Sequence, residues 1–89
     1  MRERFKGKIA IVTGGGSGIG RAACLALAKA GAKVTVVDLV QELGSETVTL
    51  VNHEGGEAIF IQADVSKTED VQRYVHETLT AYGRIRCLD

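Results

Sequence analysis

Eight residues, Thr13 to Gly20 (TGGGSGIG), stand between a segment built like a strand and a segment built like a helix. That junction narrows the possible folds more than any other feature of the chain. Residues 8–13 (KIAIVT) are short, apolar and β-branched, as a buried strand requires. Beyond the glycines, Ile19, Ala22, Ala23, Ala26, Leu27 and Ala30 recur at helical spacing. This predicts a helix over 19–30 with those side chains on its buried face, and Gly31 as its C-cap. Glycines at a strand-to-helix junction let the backbone turn tightly and let a phosphate approach the main chain. The free N–H groups and positive end of the following helix attract the anion.

The same alternation repeats. A second strand is expected over 33–38 (KVTVVD) and a second helix over 40–53, with Leu43, Thr47, Leu50 and Val51 on one side. Gly44 weakens that helix by about 1 kcal/mol relative to alanine, and Gly55-Gly56 end it. A third strand spans 57–63 (EAIFIQA). The third helix opens on Ser66-Lys67-Thr68-Glu69, a capping-box sequence. Its buried stripe is Val71, Tyr74, Val75, Thr78, Leu79 and Tyr82, and Gly83 stops it. A fourth strand is expected to begin near Arg84. Strands alternating with helices through short loops call for a parallel sheet covered on both faces. The fold class is therefore α/β, the first half of a Rossmann-like doubly wound sheet. In such sheets ligands bind at the carboxyl ends of the strands.

Composition removes several function classes. The chain has 89 residues, the length of one small domain over 1–89. Lys plus Arg and Asp plus Glu are 11 each, so no net charge argues for nucleic acid or an anionic membrane. The apolar runs are far shorter than a membrane span, and residues 1–8 lead into no signal-peptide core. A cytoplasmic location is expected. Cys24 and Cys87 are too far apart for a CxxC motif and read as reduced thiols, Cys24 as small packing. His53 and His76 have no spaced partner for a metal and belong on solvated helix faces.

The glycines fit one template among several. A Walker loop needs Gly-Lys-Ser/Thr, and the chain offers Gly20-Arg21-Ala22. The GxGxxG fingerprint fits in no register. Gly14, Gly18 and Gly20 do fit Gly-xxx-Gly-x-Gly. Opened by Thr13 and filled by Ile19, this spacing resembles the cofactor loop of the short-chain dehydrogenase/reductase family. The candidate cofactor-binding residues of the loop are Gly14, Gly16, Ser17, Gly18, Ile19 and Gly20.

Asp38 follows Gly20 by eighteen residues, close to the roughly 20 expected of the acid that binds an adenosine ribose. Its carboxylate can accept hydrogen bonds from both ribose hydroxyls, whereas a 2′-phosphate meets like charge. The neighbours Ser17 and Leu39 bring no cation, so the reading favours NAD over NADP. The plainer alternative is an aspartate ending a strand in a turn. Asp64 can likewise serve only to begin the third helix. The family resemblance implies instead that Asp64-Val65 lies against the adenine ring. It extends to Tyr82-Gly83-Arg84-Ile85 ahead of the fourth strand.

The family's catalytic serine, tyrosine and lysine are expected beyond Asp89, and no catalytic residue is assigned. Tyr74 and Tyr82 are followed four residues on by Thr78 and Arg86, not by lysine, and packing is their ordinary role. Arg86 suits a doubly buried strand poorly, and the RCLD ending reads as a slipped or early-stopped frame. Two readings follow. One is the NAD-binding amino-terminal part of an enzyme that transfers hydride between nicotinamide and an alcohol or carbonyl. The other is a truncated, non-catalytic product that acts at most as a nucleotide- or partner-binding module, self-associating through an exposed sheet edge.

Overall fold

The computed structural model describes residues 5–83. Its elements run β1 (Ile9–Thr13), α1 (Gly18–Lys29), β2 (Lys33–Asp38), α2 (Gln41–His53), β3 (Glu57–Gln62) and α3 (Thr68–Tyr82). The three strands form one parallel sheet in the order β1-β2-β3, with Ile9 opposite Lys33 and Lys33 opposite Glu57. β2 is the central strand, and Val34, Thr35, Val36 and Val37 are fully buried. This is the near-continuous apolar run of a strand covered on both faces.

Two cores result. Val12, Val34 and Val36 meet Cys24 of α1 and Val51 of α2 on one face. Val37, Ile61 and Ala63 meet Tyr74 of α3 on the other. Alternate β2 side chains point to opposite faces, so α1 and α2 cover one side and α3 the other. Where α3 crosses β2, Thr78 Oγ1 donates to Thr35 Oγ1 at 3.0 Å, pairing two buried hydroxyls. Tyr82 Oη donates to the carbonyl of Val34 at 3.2 Å.

Several expectations change in detail. The predicted buried stripe of α1 is only partly buried: Ala30 is buried and Ala23 and Leu27 pack against the core, but Ile19 is 91% exposed, and Ala22 and Ala26 are exposed. Cys24 is buried in their place. Ile19, Ala23, Ala26 and Leu27 also line an open groove of about 520 Å³ beside β1. Within the described sheet β1 is an edge strand.

Ala30 caps α1, and Gly31 follows it with a φ of 100°. The N–H groups of Gly31 and Ala32 reach back to the carbonyls of Ala28 and Leu27, a Schellman closure. Leu50 of α2 and Leu79 of α3 turn outward, 37% and 39% exposed. The capping box does not form. Lys67 is the N-cap of α3 without a side-chain bond, and Ser66 bonds Asp64 instead. Gly44 has a packing reason: it is buried, and any Cβ there would overlap the Phe60 ring on β3. The expected fourth strand lies outside the described residues.

Candidate functional site

Each candidate residue stands at the carboxyl end of a strand, all on one rim of the sheet. The loop after β1 turns at Gly14 and Gly18, whose φ angles of 68° and 56° are left-handed. Side chains rarely adopt that region. Gly20 is required for a different reason, because a Cβ there would run into the carbonyl of Gly14. The first turn of α1 is thereby laid against the loop. Ser17 is the N-cap residue, and its hydroxyl makes no capping bond. That leaves the hydroxyl and the first N–H groups of α1 together at an exposed corner.

Asp38 closes the loop from the end of β2. The Gly16 N–H donates to its Oδ2 at 2.9 Å and the Val40 N–H to its Oδ1 at 2.9 Å. A Cβ on Gly16 would lie 2.7 Å from Asp38 Oδ2, so glycine at 16 is what lets the carboxylate sit this close. With one protein donor on each oxygen, acceptor capacity remains on both. The carboxylate therefore does more than end a strand, because it joins β2 to the glycine loop.

Leu39 follows at 62% exposure, its carbonyl accepting from Gln62 Nε2 at 3.1 Å. After β3, the backbone N–H of Asp64 donates to Asp70 Oδ2 at 2.7 Å. The Asp64 carboxylate accepts from the Ser66 N–H at 2.9 Å and the Ser66 hydroxyl at 2.6 Å. The Ser66 hydroxyl, followed by its N–H, holds the Asp64 carboxyl below the usual carboxylate range. Val65 is 51% exposed. Ile19, Leu39 and Val65 are the most exposed large apolar side chains among the described residues. All three stand on the rim that carries the loop and Asp38.

Four further residues organise this rim without having stood out in the sequence: Arg21, Thr47, Gln62 and Asp70. Arg21 and Thr47 lie on different helices and bond each other at 2.9 Å, and no spacing rule relates them. Asp70 is legible only as an acid in the first turn of α3. Both tyrosines serve packing: Tyr74 is in the core and Tyr82 bonds Val34. Among the described residues no group of three His, Cys, Asp or Glu side chains is placed to hold a metal. No described helix is long and apolar enough to cross a membrane.

The family model for short chain dehydrogenase matches residues 8–88. An uncharacterized oxidoreductase of Thermotoga maritima is 45% identical over 84 residues, covering 94% of this chain and 33% of that protein. The short-chain dehydrogenase/reductase homolog YusS of Bacillus subtilis is 48% identical over 82 residues, covering 91% of this chain and 75% of that protein. Among solved structures, the citronellol catabolism dehydrogenase AtuB of Pseudomonas aeruginosa superposes with a TM-score of 0.92 at 35% identity. The match covers 97% of this chain and 36% of that one. The chain thus spans about a third of the length of the Thermotoga and Pseudomonas proteins.

Proposed function

The chain belongs to the short-chain dehydrogenase family, oxidoreductases that bind nicotinamide dinucleotides, and from that premise we propose that residues 1–89 are one domain forming the adenosine-binding part of an NAD-dependent member. The observation that carries the reading is the bond between the Gly16 N–H and Asp38, which sets a carboxylate beside a glycine loop at a helix N-terminus. Gly14, Gly18, Ile19 and Gly20 would hold the pyrophosphate, with Ser17 beside them. Asp38 would take the ribose hydroxyls, and Leu39, Asp64 and Val65 would flank the adenine. A side chain at Gly20 would run into the Gly14 carbonyl and push the loop off α1, and the exposed apolar rim suits a flat ring.

NAD is favoured over NADP because a 2′-phosphate would stand against the Asp38 carboxylate. The nearby Arg21 offers it no relief, being paired to Glu46 at 2.9 Å and bonded to the Gly16 carbonyl. When bound, the nicotinamide supplies hydride chemistry toward an alcohol or carbonyl. This chain's own residues bind and orient the other end of the cofactor. A cytoplasmic setting accords with the buried free thiol of Cys24.

A thermal melt followed by circular dichroism, titrated with NAD and with NADP, tests the reading. Ligand at a hundredfold its Kd stabilises the folded chain by about 2.7 kcal/mol. The expected result is a midpoint raised by NAD, and raised less by NADP at the same concentration. A cooperative melt indifferent to NAD overturns the proposal.

A second reading, a binding module without turnover that pairs with another copy, draws on β1 being an edge strand among the described residues and on the apolar groove beside it. Sedimentation equilibrium showing a monomer at high concentration would sink it.

A further inference from the structure

One guanidinium outside the proposed contact residues is bonded to the loop from behind. Arg21, in the first turn of α1, donates from Nη2 to the carbonyl of Gly16 at 2.6 Å and to that of Leu43 at 3.2 Å. The same nitrogen pairs with Glu46 Oε1 at 2.9 Å. Its Nε donates to Thr47 Oγ1 at 2.9 Å, and the buried Thr47 hydroxyl passes the bond on to the carbonyl of Gly15 at 2.8 Å. Two consecutive loop carbonyls are therefore fixed toward α2.

In a trans peptide the N–H points opposite to the C=O, and the described chain has no cis bond. Turning the Gly15 carbonyl onto Thr47 aims the Gly16 N–H the other way, where it meets Asp38 Oδ2 at 2.9 Å. Turning the Gly16 carbonyl onto Arg21 aims the Ser17 N–H away from α2. That N–H meets no protein acceptor among the described residues.

We propose that Arg21 is a positioning residue for dinucleotide binding: through Gly16, and through Thr47 to Gly15, it sets the peptides that present the Ser17 N–H to the pyrophosphate and seat Asp38 for the ribose. The inference rests on the reading of function above. It assigns Arg21 no contact with the nucleotide. Glu46 completes the device by holding the cation on the loop and away from a 2′-phosphate. A lysine could not reproduce it, because a single ammonium lacks the fork that reaches Thr47 and the Gly16 carbonyl together.

The test measures the NAD dissociation constant by calorimetry for the unsubstituted chain, R21M and R21K, with the ligand-free melt of each. R21M should keep a cooperative melt and bind NAD about tenfold or more weakly, with its preference for NAD over NADP reduced; tenfold corresponds to about 1.4 kcal/mol. R21K should fall between. A role confined to stability would lower the melt and leave the affinity of the folded chain and its NAD:NADP ratio unmoved, which overturns the proposal.

In the unsubstituted chain the Arg21 Nε–H should exchange slowly with solvent and shift in the NMR spectrum when NAD is added. A freely exchanging Nε–H indifferent to bound NAD overturns the proposal even where R21M does not fold. An unsubstituted chain that folds and leaves NAD unbound overturns the functional reading and this inference together. NAD binding equal in the unsubstituted chain and R21M sinks the inference alone.

Discussion

Replacing Gly44 with alanine tests how α2 is seated on the sheet. On an exposed helix the change is stabilising by about 1 kcal/mol, because glycine has more backbone freedom to lose. Here the added methyl would overlap the edge of the Phe60 ring. Phe60 is itself packed on the cluster of Val34, Val36 and Val51. Forcing a methyl into such a contact costs about 1–3 kcal/mol. The two effects leave a net loss of about 1 kcal/mol, which lowers the midpoint of a chain this size by about 4–8 °C. Phe60→Leu removes the ring edge while keeping the position apolar, at a cost of up to about 1.5 kcal/mol. In that background G44A should regain its helix-forming advantage, giving a coupling of about 2 kcal/mol between the two positions. Denaturant unfolding of the four proteins, followed by circular dichroism, measures the cycle. A G44A chain that is more stable than the unsubstituted one, or a cycle with no coupling, refutes the packing argument.

Two further predictions concern buried polar groups. Burial pushes the Cys24 thiol from 9.0 up to about 11. Below pH 9 folded and unfolded chains both keep the proton. Between 9 and 11 only the unfolded chain loses it, so stability should fall across that window by up to about 1.4 kcal/mol per pH unit. Unfolding curves at stepped pH check this, and Cys24→Ala should flatten the decline; an equal slope in both chains rejects it. Tyr82→Phe removes the donor to the Val34 carbonyl and should lower stability by about 1 kcal/mol. The ring's contact with the Lys33 ammonium, at 5.7 Å from the centroid, should survive the change. A midpoint unchanged within error would show that the hydroxyl bond adds nothing.

Local signals carried most of the architecture, and they failed where a partner far along the chain decides the outcome. The strands were legible because β2 is apolar on both faces, and the loop because its glycines fall between two kinds of periodicity. The apolar stripe of α1 was also legible, but not its destination. Periodicity says that Ile19, Ala23 and Ala26 share a face, not whether the sheet or an open groove lies opposite. Ser66 and Glu69 have the spacing of a capping box, yet Asp64 outcompetes the helix for the Ser66 hydroxyl at 2.6 Å. Gly44 looked like a weakness of α2 because the ring that requires it belongs to β3. In the sequence Arg21 is marked only by standing where a Walker loop has its lysine. Its acceptors at Gly16, Leu43, Glu46 and Thr47 come together only after the first crossover is made.

Every rung of the described sheet joins a strand to the next one along the chain, Ile9 to Lys33 and Lys33 to Glu57, twenty-four residues on each time. A ribosome adds about 5–20 residues per second, so each strand waits only roughly one to five seconds for its neighbour to be synthesised. Arg21, Asp38 and Thr47, the side chains that fix the glycine loop, have all been made before β3 begins at Glu57. The parts that shape the glycine loop thus all exist before β3 is made, and their assembly can follow the order of translation.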